Sequence, residues 1–391
     1  MTMSGDERYL TTAEAAHMLG VKPSTVYAYV SRGLLNPVHG KRRSLFKLGD
    51  VENLADRGRE SRRPPNPLGN VATSLSLLLD DELYFRGERV AHLAQWYTIE
   101  SIAELLWAGK LTGFGVFVAQ PELVDSVRAA IATLPESARL TDQLRVAVAM
   151  AGAADPLRFD LAPDAVIRVG RILIAVLVDS IAPTVVRGSL ANRLWPALTS
   201  VRQPPGLLDA VLILLADHDL AVSTVAARVA ASARAHPYAV VAAGLGALDG
   251  HYHGTASTQA YRFLVEAMPD PVTALSERLR AGSGVPGFGH RVYQKQDPRA
   301  EFLLEMLRAA NPESPAVRAV DILRAHHTFP NVDMAMAAMM HEHKLRPDAG
   351  EAIFAIARTV GWIAHAMEEY REPGLRFRPE GVYVGERPKK I

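Results

Sequence analysis

The sequence of 391 residues contains no cysteine. Disulfide bonds, thiolate nucleophiles and cysteine-ligated zinc sites are therefore excluded, so any catalysis must use His, Asp, Glu, Arg or Lys. No apolar run reaches the roughly 18 residues of a membrane-spanning helix, since aspartate or arginine interrupts each run. The N-terminal MTMSGDERYL also lacks the basic and then apolar pattern of a secretion signal. We expect a cytoplasmic protein with no membrane partner.

Net charge is also nearly absent, at +1, but the charges are unevenly distributed. Residues 1–63 hold 11 Lys and Arg against 7 Asp and Glu, a net charge of +4, and the remainder has a net charge of −3. A small basic unit therefore precedes a larger, mildly acidic one, which favours a polyanionic partner for the first unit. The chain is long for one core and is expected to form two or three folding units.

Two short helices are predicted near the N-terminus. The stretch YLTTAEAAHMLG (9–20) has threonines that can cap a helix and ends on glycine, and STVYAYVSRG (24–33) follows after a tight turn. The next segment has the pattern of a β-hairpin with a basic tip. Together these elements resemble the winged helix-turn-helix of the MerR and excisionase families, and we assign them to a domain at 1–62.

Members of those families read DNA with the second helix and touch the DNA backbone with the wing. The resemblance implies that DNA is a partner of residues 1–62. The candidate DNA-binding residues are Ser24, Thr25 and Tyr27 on the second helix and Lys41, Arg42 and Arg43 at the wing tip. A module that docks another protein, with a solvated basic tip, is the alternative interpretation.

A proline-rich linker is predicted at 63–72, where RPPNPLGN holds three prolines and a glycine. The chain from 73 to 391 then shows long helical periodicity, for example in TIESIAELLWAG and TDQLRVAVAMAGA. Strand patterns are confined to a few short segments around LDDELYFRG (79–87). The fold class is therefore predicted to be mainly α.

Polar residues of unusual kind interrupt this helical unit. The stretch GVPGFGHRVY (284–293) is too rich in glycine and proline for a helix or strand, which predicts a shaped loop that presents His290. The other interruptions are ADHDL with His218, GHYHG with His251 and His253, DPRA with Arg299, PNVD with Asp333 and FAIARTVGW with Arg358. Each residue alone is more often a cap, a core residue or an ion-pair partner.

Taken in order, these motifs resemble the citrate synthase family, and the resemblance runs from about residue 73 to the C-terminus. It implies a two-domain helical fold, with a small subdomain at about 245–340 inserted in a large domain. Family members join the methyl carbon of acetyl-CoA to the keto group of oxaloacetate. The resemblance implies that Asp333 removes the methyl proton, His253 hydrogen-bonds the thioester oxygen and His290 polarises the oxaloacetate carbonyl.

The resemblance also implies a clamp for the two carboxylates of oxaloacetate, a task suited to planar arginine side chains. The implied oxaloacetate-binding residues are His218, Arg299, Arg358 and Arg378, the last donated across a homodimer interface. Arg291 and Lys295 flank the loop and are candidates for the CoA phosphates. No metal and no permanently bound cofactor are implied, and acetyl-CoA or propionyl-CoA is the co-substrate.

Several positions depart from the family pattern. Leu215 stands where a histidine is common, and Glu380 where a second arginine is usual. The other departures are Ala221 and, beside His253, His251, Tyr252, Thr255 and Ser257. A one-methylene difference in an apolar pocket is discriminated by only about 1–3 kcal/mol, so the sequence leaves citrate synthase and 2-methylcitrate synthase open.

The same motifs leave one alternative to a condensing enzyme and one alternative role for the helix-turn-helix. A transcriptional regulator could use the second unit to sense oxaloacetate, citrate or an acyl-CoA, since a sensor needs the same carboxylate clamp. In the other, the helix-turn-helix serves only assembly or docking and the enzyme does not contact DNA. The presence of Asp333 favours the enzyme, because a base is dispensable for binding alone.

Overall fold

A computed structural model describes residues 9–19, 21–39, 44–47, 50–51, 71–111, 113, 115–183, 187–251 and 253–377. The chain divides into two compact units, Met1–Val71 with Arg378–Ile391 and Ala72–Phe377. Each unit has its own cluster of buried apolar side chains. Among the described residues, the helices are either too short or too polar to cross a membrane.

The described residues of the first unit include two short helices and a three-stranded antiparallel sheet, and residues 50–51 are also helical. Its elements are β1 (Tyr9–Thr11), α1 (Thr12–Leu19), α2 (Pro23–Ser31), β2 (Val38–His39) and β3 (Ser44–Lys47), with strand order β1-β3-β2. The predicted helix pair and hairpin are confirmed. The start of the first predicted stretch lies in a strand, because Tyr9 and Leu10 pair with Lys47 and Phe46.

The N-terminus of α1 is capped by Thr11 and Glu14. The Glu14 carboxylate accepts hydrogen bonds from the backbone N–H and the hydroxyl of Thr11, at 2.7 and 2.8 Å. The Glu14 backbone N–H donates in return to the Thr11 hydroxyl at 3.4 Å, which completes a capping box. Val26 of α2 is fully buried in the small core, with Leu35 and Phe46.

The second unit begins with an antiparallel sheet of β4 (Ser76–Leu79), β5 (Glu82–Phe85) and β6 (Glu88–Arg89). This confirms the short strands expected around 79–87. The two-residue turn between β4 and β5 is Asp80-Asp81, and both residues have positive φ, at 52° and 58°. Aspartate tolerates this left-handed conformation better than most residues, as a tight hairpin turn requires.

The rest of the second unit is helical, which confirms the predicted fold class. In chain order the helices are α3 (Val90–Trp96), α4 (Ile99–Ala108), α5 (Pro121–Ile131), α6 (Leu140–Ala154), α7 (Pro163–Ile181), α8 (Leu190–Leu198), α9 (Leu207–Leu215), α10 (Val222–Ser232), α11 (Pro237–Leu248), α12 (Ala256–Ala267), α13 (Pro271–Arg280), α14 (Pro298–Ala310), α15 (Pro315–His326), α16 (Val332–Glu342) and α17 (Ala349–Glu369).

Helix α17 runs through the core and is buried on all sides from Ala349 to Met367. Helices α4, α7, α9, α10 and α11 pack around it. Gly361 permits its close approach to the segment after α9, because a Cβ there would lie 2.5 Å from the carbonyl oxygen of Ala216. Any polar side chain on α17 is therefore held away from bulk water, including that of Arg358.

A second group of helices packs together beside this core. Helix α16 contacts α12, α14 and α15, and α13 contacts α12 and α15. The glycine-rich loop at 284–293 joins α13 to α14 and is free of regular secondary structure, as the sequence predicted. This arrangement brings the loop next to the start of α16.

Candidate active site

The loop at 284–293 is hydrogen-bonded to the segment that leads into α16. The backbone N–H of Gly289 donates to the carbonyl of Phe329 at 2.8 Å, and that of Asn331 donates to the carbonyl of Gly287 at 2.9 Å. Gly287 has φ of +82°, and a Cβ there would lie 2.8 Å from the Met334 side chain, so only glycine fits. The loop is thus fixed in shape.

Asn331 connects this loop to the first turn of α16. Its side-chain oxygen accepts from the backbone N–H of Asp333 at 3.0 Å, and its amide donates to the carbonyl of Gly289 at 3.0 Å. Asn331 is therefore the N-cap of α16, and its side-chain amide also stabilises the loop. It holds His290 and Asp333 on neighbouring elements.

His290 is held as one neutral tautomer. Its Nδ1 accepts hydrogen bonds from the backbone N–H groups of Val292 and Tyr293, at 3.1 and 3.4 Å. Burial, followed by the positive charge of Arg299, lowers the pKa of His290 to about 4. The ring is therefore neutral near pH 7, and its only proton is on Nε2, which can donate a hydrogen bond.

His218 and Tyr293 complete an aromatic cluster with His290. The ring centroids of His218 and His290 are 5.2 Å apart, and those of His290 and Tyr293 are 4.8 Å apart. The Nε2 atom of His218 hydrogen-bonds the Tyr293 hydroxyl at 3.0 Å. Burial, with help from Arg299 and Arg358, puts the pKa of His218 well below its ordinary value, so this ring is neutral too.

Arg299 is a buried cation paired with Asp297. Its Nε and Nη2 atoms donate to the two Asp297 oxygens at 2.9 and 2.8 Å. Burial opposes the charge of Arg299, but Asp297 raises its pKa above the ordinary value. Asp297 also accepts from the backbone N–H of Val332 at 3.0 Å, which ties the start of α14 to the start of α16.

Arg358 is only 1% exposed and lies near enough to His218 and His253 for its charge to act on both rings. Its Nε atom donates to the carbonyl of Leu215 at 2.8 Å, and its guanidinium lies 4.6 Å from the ring centroid of Phe354. Its Nη1 atom has no hydrogen-bond partner among the described residues. Burial lowers the pKa of Arg358 to about 10, while Asp217 opposes the change, so the side chain stays cationic at neutral pH.

His253 also contacts Phe354, with the two ring centroids 5.5 Å apart and the rings nearly perpendicular, at 80°. Its Nε2 atom hydrogen-bonds the hydroxyl of Ser223, a fully buried residue of α10, at 2.7 Å. Burial, followed by Arg358, lowers the pKa of His253 to about 4. When the serine hydroxyl donates to Nε2, the ring proton is on Nδ1.

Asp333 is the carboxylate among these groups. Burial raises its pKa to about 6, with Asp297 acting in the same direction and Arg299 and Arg358 in the opposite one. Its charge interactions with both arginines require that it lies near them. A carboxylate with a pKa of about 6 is ionised at neutral pH and is a stronger base than an ordinary aspartate.

The candidate CoA residues Arg291 and Lys295 are exposed and lie beside this cluster. The backbone N–H of Lys295 donates to Asp81 of the β4–β5 turn at 2.8 Å, and an open cavity of about 660 Å³ lies between that turn and residues 292–296. In the first unit, Ser24 and Tyr27 of α2 are exposed and Thr25 is half-buried. Arg378 and the wing residues Lys41, Arg42 and Arg43 lie outside the described residues.

The structure thus brings together His218, His253, His290, Arg299, Asp333 and Arg358 in one cluster. Sequence reasoning missed Ser223, Asn331, Phe354 and Asp297 as their supports. The Asp-Pro pair at 297–298 carries the signal of a helix start, an N-cap followed by proline, and could have marked Asp297. Within the described part of the chain, no group of three or more His, Asp or Glu side chains has the arrangement of a metal site.

Of the departures from the family pattern, Leu215 is buried and offers its carbonyl to Arg358. Ala221 occupies the N-cap position of α10. Near His253, the hydroxyl of Thr255 donates to the Gly250 carbonyl at 3.4 Å, and buried Ser257 bonds the Gly254 carbonyl at 3.2 Å. These polar groups bond nearby backbone. Tyr252 and Glu380 lie outside the described residues.

The larger unit matches a known protein family. The family model described as "Citrate synthase, C-terminal domain" matches residues 68–380. The chain belongs to the citrate synthase family. It is a transferase of the citrate synthase type, with a segment at 9–59 that matches a family model described as "Helix-turn-helix domain".

Among curated relatives, a citrate synthase from Acidithiobacillus ferridurans is 30% identical over 352 residues, which cover 79% of this chain and 90% of the relative. A protein named 2-methylcitrate synthase 2 from Corynebacterium glutamicum is 28% identical over 349 residues, 80% of this chain and 91% of the relative. The crystal structure of citrate synthase from Thermotoga maritima MSB8 matches with a TM-score of 0.68 and 27% identity, covering 84% and 97% of the two chains.

Proposed function

We propose that this citrate synthase family member condenses an acyl-CoA, acetyl-CoA or propionyl-CoA, with oxaloacetate and releases CoA. The observation that carries the proposal is the grouping of the Asp333 carboxylate with His218, His253 and His290 and with two buried arginines in one cluster. These are the groups that removal of a weakly acidic proton and binding of a dicarboxylate require. Relatives named citrate synthase and 2-methylcitrate synthase support both donors.

In the proposed complex, Arg299 and Arg358 bind the carboxylates of oxaloacetate, and His218 forms a hydrogen bond to the same substrate. Support comes from the unpartnered Nη1 of Arg358, because a buried guanidinium N–H that lacks an acceptor is costly until an anion meets it. Arg299 is pre-oriented by its two bonds to Asp297. Arg378 adds a third cation from the other subunit of a homodimer.

The acyl group is activated by proton removal. Asp333 takes a proton from the carbon next to the thioester carbonyl, and His253 donates a hydrogen bond to the thioester oxygen as negative charge develops there. The enol carbon then forms a bond to the keto carbon of oxaloacetate. His290 donates its Nε2 proton to the keto oxygen, which becomes a hydroxyl, and the proton taken by Asp333 restores the neutral ring by way of solvent. Water finally cleaves the thioester, which leaves a carboxyl group and releases CoA as a thiol.

The proposed small subdomain, at about 245–340, supplies His253, His290 and Asp333, while His218 and Arg358 come from the rest of the unit. Closure of the subdomain over bound oxaloacetate would complete the site and exclude water before the enol forms. Both parts meet at Phe354, which contacts His253 and Arg358.

The proposal is tested by the release of free thiol from acetyl-CoA and from propionyl-CoA, each with oxaloacetate, and by mass spectrometry of the product. The protein adds no thiol background because it has no cysteine. Oxaloacetate-dependent release with either donor supports the proposal, and the ratio of the two kcat/KM values assigns the donor. Absence of release with both donors, from protein that binds oxaloacetate, would overturn it and favour a sensor.

The pH dependence of kcat/KM should show one acidic limb with a midpoint near pH 6. The base must be ionised to accept a proton, and Asp333 becomes protonated as the pH falls through its pKa of about 6. His253 and His290, with pKa values of about 4, remain neutral throughout this range. A rate that stays constant from neutral pH down to pH values near 5 would contradict the role of Asp333.

Replacement of Ser223 by alanine should lower kcat by about tenfold and change KM for oxaloacetate little, since loss of one hydrogen bond to His253 costs about 1–2 kcal/mol. Steady-state kinetics with both substrates measure the effect. Ser232→Ala is the matched control, because Ser232 is a buried serine of the same helix that bonds a carbonyl of its own helix. Equal losses in both variants would indicate a general effect on α10.

We further propose that residues 1–62 bind DNA, an interpretation supported by the family match and by the exposure of Ser24 and Tyr27 on α2. Binding of the full chain to duplex DNA of mixed sequence should weaken linearly with the logarithm of salt concentration. Arg42→Ala and Arg43→Ala should each reduce that slope by about 0.9. Arg318→Ala, an exposed cation of the other unit, is the control, and an unchanged slope in both wing variants favours the docking alternative.

A further inference from the structure

A series of buried polar groups, joined by hydrogen bonds, begins at Asp217, which precedes His218 in the sequence. Asp217 and His365 are both fully buried, and His365 Nε2 lies 3.2 and 3.3 Å from the two Asp217 oxygens. The Ser76 hydroxyl donates to Asp217 at 2.6 Å. Neither Asp217 nor His365 has a part in the proposed chemistry, yet burial of a carboxylate is costly unless it is compensated.

Arg228 determines the tautomer of His365. Its Nη1 atom lies 2.8 Å from His365 Nδ1, and a guanidinium can only donate, so Nδ1 accepts and the ring proton is on Nε2. His365 therefore donates to the carboxylate of Asp217. Arg228 itself is balanced by Glu368 at 2.9 Å and by Glu369 at 3.2 Å.

The series continues to the end of the described part of this unit. Glu369 accepts two hydrogen bonds from Arg376, both at 2.6 Å. Glu368 also accepts from the backbone N–H of Ser74 at 2.8 Å. The buried groups are thus anchored at β4 and at the segment that leads to Arg378, the residue proposed to act across the dimer interface.

Asp217 braces the turn that carries two parts of the oxaloacetate clamp. The Ser76 hydroxyl that donates to Asp217 also accepts from the backbone N–H of Asp219 at 3.1 Å. On the other side, the backbone N–H of Gly361 donates to the Ala216 carbonyl at 3.1 Å. This turn presents the His218 ring and the Leu215 carbonyl, which holds Arg358.

The charge of Asp217 also acts on Arg358. Burial alone would raise the pKa of Asp217, but His365 and Arg358 hold it below the ordinary value, so it is a carboxylate at neutral pH. Burial lowers the pKa of Arg358 to about 10, and Asp217 is the largest opposing influence. The two arginines of the clamp repel each other, and the carboxylate of Asp217 offsets part of that repulsion.

We propose that Asp217 is a positioning residue for oxaloacetate: held by Ser76 and by the single tautomer of His365, it orients the 215–218 turn and so places His218 and, through the Leu215 carbonyl, Arg358. The inference rests on the proposed function, because it concerns the binding of that substrate. Asp217 does not touch the substrate. A purely structural role would be expected to affect stability alone.

The test is calorimetric titration of oxaloacetate into the full-length Asp217→Asn variant. We expect the Kd to rise by about 10–100-fold, since the variant keeps the shape but loses the charge, while the Kd for CoA changes less than about threefold. Asp179→Asn is the control. Asp179 forms another partly buried ion pair, with Arg193 at 2.7 Å, and its side chain has no hydrogen bond to the cluster of His218, Arg299 and Arg358 in the described part of the chain.

Ser76→Ala covers the case in which Asp217→Asn does not fold. It removes one hydrogen bond and leaves the carboxylate, so we expect oxaloacetate binding to weaken by about 3–10-fold. Wild-type affinity in the folded variants, equal to that of Asp179→Asn, would overturn the inference while the proposed function stands. Failure of the wild type itself to bind oxaloacetate would overturn both.

Discussion

Asp333→Asn should lower kcat by about 10³-fold while oxaloacetate still binds. Asparagine has nearly the shape of aspartate but no basic oxygen, so the methyl proton of the acyl group has no acceptor. The carboxylate clamp does not depend on Asp333, because Arg299 is oriented by Asp297 and Arg358 by the Leu215 carbonyl. Thiol release under saturating substrates measures kcat, and calorimetry measures oxaloacetate binding.

The stability of this variant provides a second measurement. Because burial raises the pKa of Asp333 to about 6, the ionised carboxylate is unfavourable in the folded protein above that pH. A neutral asparagine should therefore leave Tm at neutral pH at least as high as in the wild type. Asp321→Asn, at an exposed ion pair with Arg308, is the activity control. A variant of Asp333 that retains more than a tenth of wild-type kcat would contradict its role as the base.

His290→Ala should lower kcat by about 10²–10³-fold, the range for loss of one hydrogen-bond donor to a developing oxyanion. The proton on Nε2 is the only donor of this ring, because Nδ1 accepts from the backbone N–H groups of Val292 and Tyr293. The loop should keep its shape in the variant, since Asn331 and the backbone pairs of Gly287 and Gly289 hold it.

The matched control for His290 is His326→Ala, an exposed histidine at the end of α15. Rates with both acyl-CoA donors are compared, because the keto oxygen is the same in each reaction. A uniform loss with both donors agrees with a role at oxaloacetate. A loss confined to one donor would instead indicate that His290 acts at the acyl group, and the assignment to the keto oxygen would be wrong.

Local patterns were enough to predict much of the fold. The threonine that caps α1, the glycine-rich loop at 284–293 and the short strands around 79–87 each depend on a few neighbouring residues, and the structure agrees with all three. The exception is Tyr9–Thr11, which forms β1. Its strand partner lies more than thirty residues away, so the pairing depends on tertiary structure.

The chemical groups of the site could be predicted from their unusual placement in apolar surroundings and from the family resemblance. Their supports could not. The contact between Ser223 and His253 spans 30 residues, and that between Asp217 and His365 spans 148. Serine, threonine and aspartate occur at many helix ends, so sequence spacing alone does not identify the ones that are buried against a catalytic ring.

The protonation states also required the structure. The position of a histidine in the sequence does not show which ring nitrogen holds the proton. In the structure, backbone N–H donors determine the tautomer of His290, and Arg228 determines that of His365. Likewise, the elevated pKa of Asp333 comes from burial, a property of the packed helices. These features convert a set of residue types into a base, a neutral donor and a cationic clamp.

The most direct measurement of the central claim uses acetyl-CoA with a fully deuterated methyl group, together with oxaloacetate, and determines the mass of the six-carbon product. If an enol forms by loss of one methyl hydrogen and then bonds to the keto carbon, the product retains two deuterons and one CoA thiol is released for each product molecule. A product that retains three deuterons, or thiol release that does not depend on oxaloacetate, would contradict the account.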